Sequence, residues 1–296
     1  MLFEYFKESK TKLVWTFHDC WAFTGYCPHF TIEKCDKWKS SCQNCIQKRT
    51  YSWIFDRSKN LFERKKSSLS GVDLTVITPS RWLEEQVKHS FLKNCRTRVI
   101  NNGIDLSVFK PCENQFREKY CLKNKKIILG VSFDWGYKKG LDVFIELSKR
   151  LSEDYCVVLV GTNRETDQIL PSNILSIHRT QNQQELAEIY SAANVFVLPT
   201  REENYPTVNM EALACGTPVL TFRTGGSPEI LDETCGSVVE CDDVDGLEKE
   251  IIRICTKKPY SKEACLIRSK KFDKNERYKE YLELYERINS ARAERH

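Results

Sequence analysis

Apolar and polar positions follow two rhythms along this chain. Short apolar runs at 12–17, 73–78, 98–100, 126–132, 156–160, 174–177, 194–199, 219–221 and 237–239 have the length and composition of buried strands. Between them, stretches of mixed polarity at 52–69, 81–90, 141–151, 184–193, 206–215, 245–255 and 275–294 predict helices, with a further short one at 229–230. Such alternation argues for an α/β chain with doubly wound parallel sheets. Residues 20–46 fit neither rhythm, and an irregular stretch of that length in a compact domain usually marks function or a local cross-link. Residues 101–109 are rich in turn formers and read as a crossover between domains.

One unit concentrates chemistry. The apolar run at 194–199 is followed by Arg201-Glu202-Glu203-Asn204-Tyr205, then by Pro206, which suits the first turn of a helix because that position needs no amide hydrogen. Gly216 ends the helix, and Thr217-Pro218 opens the next strand. In parallel sheets this order puts Glu203 and the helix start beyond the carboxyl end of a strand, where ligands bind. Glu203 and Glu211 stand eight residues apart. Amides at a helix start can hold a phosphate, and flanking carboxylates can accept hydrogen bonds from sugar hydroxyls.

Composition narrows the field without deciding it. The excess of basic residues is 46 − 41 = +5, too small to argue for nucleic acid and compatible with an anionic membrane surface. No run of eighteen apolar residues exists, and residues 1–12 are charged with no signal-peptide core, so a cytoplasmic chain is expected, peripheral at most on the inner face of a membrane. Most of the fourteen cysteines are scattered singly. The exception is Cys27, Cys35, Cys42 and Cys45, whose last pair has a zinc-knuckle spacing; four thiolates could close a tetrahedral structural zinc site. Reduced thiols or a disulfide pair are the alternatives. Basic residues nearby suggest a nucleic-acid finger, but no recognition helix with base-reading residues follows.

The string Glu203-x7-Glu211 followed by Ala-Leu-Ala-Cys-Gly-Thr-Pro-Val closely resembles the nucleotide-sugar site of retaining glycosyltransferases of the GT-B fold, the large family-four group. The resemblance implies two Rossmann-like domains: an incomplete N-terminal acceptor-side domain at 1–108, a nucleotide-sugar-binding domain at 109–274, and a helix at 275–296 packing back on the first. It implies transfer of a sugar from a UDP- or GDP-sugar, with retention and without an essential metal, to a glycan or polyprenyl-linked acceptor in polysaccharide or glycoconjugate synthesis. Glu203 would hold donor-sugar hydroxyls and Glu211 the ribose. Pro206, Thr207 and Val208 would form the phosphate-facing helix start, and Gly225-Gly226 a close backbone approach. His18 would position the sugar, with Asp19 on the acceptor side. Lys139-Gly140 matches the family's diphosphate clamp. The arginine that many relatives place a few residues earlier is missing, and Lys138 stands in for it. The resemblance also leads one to expect a preceding half-domain with a glycine-rich loop. A catalytically incomplete, nucleotide-sugar-binding remnant is therefore the alternative function. A nucleotide-sugar epimerase on the same fold would need a different set of acids.

Overall fold

The computed structural model describes residues 2–52 and 54–293, without the side chains of 291–293. The chain divides into two compact units, 1–101 with 277–296, and 102–276.

The first unit contains α1 (Leu2–Glu8), β1 (Leu13–Thr16), α2 (Lys48–Tyr51), α3 (Ser58–Leu69), β2 (Leu74–Thr78), α4 (Arg81–His89) and β3 (Arg96–Val99). The strands form a parallel sheet in the order β1-β2-β3, and β2 is buried along its whole length. Alternate residues of β2 face opposite ways, as the strand pleat requires. Leu74 and Val76 pack with Phe17, Leu69, Leu83 and Val87. Ile77 turns to the other face and meets Ile100 and Leu284. Ser80 caps α4, accepting a hydrogen bond from the Leu83 amide at 3.1 Å. Helix α3 starts six residues later than the apolar pattern suggests. The cause is Asp56, whose carboxylate accepts from the Ser58 and Cys45 amides and holds a turn there instead of a helix. Of the residues expected to be helical, Trp53 and Glu294 lie outside the described residues.

The second unit runs α5 (Phe116–Lys119), β4 (Lys126–Val131), α6 (Leu141–Arg150), β5 (Tyr155–Val160), α7 (Arg164–Asp167), β6 (Ile174–Ile177), α8 (Gln183–Ala192), β7 (Val195–Leu198), α9 (Thr207–Ala214), β8 (Val219–Phe222), α10 (Ser227–Ile230), β9 (Gly236–Val239), α11 (Val244–Lys257) and α12 (Lys262–Ser269). Six parallel strands stand in the order β6-β5-β4-β7-β8-β9, so the strand order reverses between β4 and β7. Ile127, Leu129, Phe196 and Leu198 face a core shared with α8 and α9. Ile128, Val195, Val197 and Leu220 face the opposite core, shared with α6 and α11. Each such side chain, fully buried, contributes about 1.5–3 kcal/mol. Burial on both faces is why these strands read as continuous apolar runs. The last helix, α13 (Lys274–Ala293), belongs to the first unit from Arg277 onward, where Tyr281, Leu284 and Ile288 pack with Val14, Ile77 and Ile100. Among the described residues no helix is long and apolar enough to cross a membrane.

Candidate functional site

Four loops meet at the carboxyl ends of β4, β7, β8 and β9 in the second unit. The loop after β4 tightens at Gly140, which has φ +73, and a Cβ there would fall 2.4 Å from the Pro199 carbonyl oxygen. Only glycine lets the two backbones come this close. On the other side, Gly225 has φ +53, and a Cβ on it would fall 1.8 Å from the Glu203 carbonyl. The Gly226 amide donates to the Asn204 carbonyl at 2.7 Å. The Glu203 loop is thus gripped between two glycine turns.

The side chains pair in order across the first of these contacts. Lys138 Nζ lies 2.8 Å from Glu202 Oε2, and Lys139 Nζ lies 3.0 Å from Glu203 Oε2. Glu202 is only 2% exposed, and Lys138 is a partner that offsets its burial; Lys139 and Glu203 are 28% and 17% exposed. Pro206 is the N-cap of α9, one position earlier than a first-turn proline, and no side chain caps the helix. Proline has no side-chain acceptor to offer the first-turn amides, Thr207 and Val208 included.

Glu211 sits one turn into α9, where Tyr190 of α8 donates a hydrogen bond to its Oε2 at 3.1 Å. Burial pushes the Glu211 carboxyl above its usual value, opposed by hydrogen bonds from Tyr190 and Thr207. Burial, with the nearby Glu211 charge, likewise drives the Tyr190 phenol well up, so it stays a donor. Around this loop Thr200 Oγ1, Ser227 Oγ and both polar atoms of Asn209 are buried without a hydrogen-bond partner. Unused polar capacity in a native interior is uncommon and marks a place where a polar ligand or ordered water fits.

The second unit therefore brings together Lys138, Lys139, Glu203, Pro206, Thr207, Val208, Glu211, Gly225 and Gly226. His18 belongs to the first unit, exposed just beyond the carboxyl end of β1. Asp19 there accepts from the Trp21 amide at 2.7 Å and starts the turn that follows.

The zinc expected at Cys27, Cys35, Cys42 and Cys45 does not find its site. Among the described residues no group of three or more His, Cys, Asp or Glu side chains is arranged to hold a metal ion. Burial pushes the Cys27 thiol up to about 12 and the Cys42 thiol up to about 11, and both cysteines are free. The Gly25 amide donates to Cys42 Sγ at 3.2 Å. What ties this loop down is Lys65, whose ammonium lies 3.6 Å over the Trp21 ring and donates to the carbonyls of Trp21, Thr24 and Gly25. That arrangement could not be found from sequence, because a lysine in a basic helix looks like a solvated one.

Sequence reasoning also missed Tyr190, Asp142, Asp242 and the role of Arg201. Each is a common surface residue type whose partner is distant in the chain.

Known proteins share this architecture. A family model described as glycosyl transferases group 1 matches residues 113–283, more than half of the chain. WcaC of Escherichia coli (strain K12), a glycosyl transferase assigned to colanic acid biosynthesis, is 26% identical over 78% of this chain and 57% of its own length. A GDP-mannose-dependent phosphatidylinositol monomannoside mannosyltransferase of Mycolicibacterium smegmatis is 30% identical over 60% of this chain and 52% of its own. The chain thus spans little more than half the length of these relatives. Among solved structures, Anabaena HepE in complex with UDP superposes with a TM-score of 0.70 at 16% identity, over 94% of this chain and 73% of that one. These neighbours share the fold, two α/β units with parallel sheets as in GT-B glycosyltransferases. On the family match, which covers the loops and helix just described, the chain belongs to the glycosyl transferases group 1 family.

Proposed function

We propose that this protein is a nucleotide-sugar-dependent glycosyltransferase whose donor sits on the second unit, at the carboxyl ends of β4 and β7. The observation that carries the proposal is the Lys139–Glu203 pair beside the start of α9 at Pro206, with the Glu211 carboxyl one turn further in. Lys139 and the first-turn amides supply positive charge where a diphosphate leaving group develops negative charge. Glu203 offers its carboxylate to the donor sugar and Glu211 to the ribose hydroxyls. Lys138 acts through its pair with Glu202. Transfer proceeds with retention at the anomeric carbon. UDP and GDP donors are both in keeping with the site, since the M. smegmatis relative is named for GDP-mannose and HepE was solved with UDP. The acceptor is a glycan or a polyprenyl-linked glycan in glycoconjugate synthesis. The experiment is a radiolabelled transfer assay with UDP- and GDP-sugars against membrane lipid extracts, with product linkage read by NMR. A product with inverted configuration would refute retention, and donor binding without transfer or hydrolysis would favour the incomplete, binding-only alternative.

The cytoplasmic protein works, in this proposal, against the inner face of a membrane. Residues 46–66 carry seven cations and two anions, 7 − 2 = +5, which equals the net charge of the whole chain. Within the same stretch Ile46, Ile54 and Phe55 are 61%, 75% and 66% exposed. Exposed apolar side chains among cations are the composition that settles into an anionic lipid interface.

A further inference from the structure

We propose that Arg201 is a positioning residue of the donor site, locking the lysine turn and the acidic loop into one register; this rests on the donor site proposed above. The Arg201 side chain is only 7% exposed, yet its charge is answered from three directions. Nη1 and Nη2 donate to the two Asp142 carboxylate oxygens, each at 2.8 Å, in a fork. Nε donates to Asp242 Oδ1 at 2.7 Å, and Nη1 also reaches the Tyr137 carbonyl. The guanidinium carbon lies 3.9 Å from the Tyr137 ring centre, and the Arg201 amide donates to the Lys138 carbonyl at 2.9 Å.

These partners come from the turn after β4, the first turn of α6 and the turn after β9. One buried cation therefore joins its own loop to the continuous Tyr137–Asp142 segment and to the turn after β9. Asp242 keeps φ +68, a left-handed conformation costly for a residue with a Cβ, at the point where its carboxylate faces Arg201. The consequence falls on the two residues after Tyr137 and the two after Arg201. With Arg201 bound to Tyr137 and Lys138, Lys138 meets Glu202 and Lys139 meets Glu203, rung by rung. Lysine at 201 could not reproduce this, because a single ammonium has no fork and no planar face to stack. Arg201 is itself saturated by protein groups, so it acts through Lys139 and Glu203 and not on the donor.

A purely structural arginine would weaken every ligand alike, whereas a register-setting one weakens recognition of the diphosphate and spares the nucleoside. The full chain, its R201K, D242N and K139A variants and the R201K/K139A double variant are titrated with UDP, GDP, uridine and guanosine, with thermal unfolding as the folding control. In R201K the diphosphate binds about tenfold or more weaker while the nucleoside is unchanged. The loss in the double variant is smaller than the product of the single losses, because both changes remove the same lysine–phosphate contact. Should R201K not fold, D242N makes the same comparison, since its carboxylate is half exposed. Equal losses for diphosphate and nucleoside, or full additivity with K139A, would overturn the positioning role alone. A wild-type chain that binds neither diphosphate would overturn the donor site with it.

Discussion

The Lys139–Glu203 pair makes a prediction that runs against intuition: removing an active-site acid should tighten binding of the bare nucleotide. Lys139 Nζ is held 3.0 Å from Glu203 Oε2, and both groups are largely shielded from water. In the proposed donor site a diphosphate would take Lys139 away from Glu203 and free the carboxylate for the sugar hydroxyls. At an effective dielectric of about 20 and this separation the gross attraction is about 5.5 kcal/mol. Partial solvation and the desolvation already incurred leave a net of about 1–2 kcal/mol. Glu203→Gln keeps the size and hydrogen-bonding reach of the side chain but releases the lysine. UDP or GDP should then bind about five- to thirtyfold more tightly. The complete nucleotide-sugar should gain less than the bare diphosphate, because its hydroxyls face an amide, and transfer should slow by about a hundredfold. Isothermal titration at matched ionic strength, beside initial-rate transfer assays, reads both effects. Weaker or unchanged diphosphate binding in Glu203→Gln would refute the exchange of partners.

Four further outcomes follow from the same geometry. Because burial raises the Glu211 carboxyl above 4.5, it takes up a proton as pH falls through that raised value, so donor affinity should drop on the acid side at a higher pH than an ordinary carboxylate would cause. Glu211→Gln should be weaker throughout and lose this acid limb; an acid limb that survives in Glu211→Gln would assign it to another group. Gly225→Ala should displace the Glu203 carbonyl, since the new Cβ has no room at 1.8 Å and the backbone has φ +53; a variant with unchanged melting temperature and donor affinity would contradict the packing. Dialysis against EDTA should leave the melting temperature unchanged, and metal analysis should find less than one zinc per chain, because the four clustered cysteines build no metal site; stoichiometric zinc lost with stability would reverse that correction. Ile54→Glu with Phe55→Glu should abolish co-sedimentation with anionic vesicles without altering UDP or GDP binding, since both side chains are exposed on the first unit; undiminished sedimentation would refute that contact.

Much of the second unit is legible in the residues because its strands are buried on both faces. The apolar run ending at Leu198, a proline, an apolar helix and Gly216 with φ +83 form a local grammar that needs no tertiary information. The pairing of Glu203 with Lys139 is not local, and the sequence treats the two only as separate candidates. Arg201 is less legible still, because its meaning depends on Asp142 and Asp242, far along the chain on two other loops. In the first unit α3 starts at Ser58 and not at Ser52 because the Asp56 turn interrupts the basic stretch before it. The cysteines illustrate the opposite error. Their spacing suggests ligands, but burial and hydrogen bonding leave them as free thiols, with Lys65 holding the loop.

The most direct test of the donor site is calorimetric titration of the purified chain and its Glu211→Ala variant with UDP, GDP and their sugar conjugates. Saturable binding of at least one conjugate is expected for the wild type, and a loss of about tenfold or more in Glu211→Ala, measured at a temperature where thermal unfolding shows the variant folded. Equal affinity in the two proteins, or no binding of any conjugate to the wild type, would contradict the donor site.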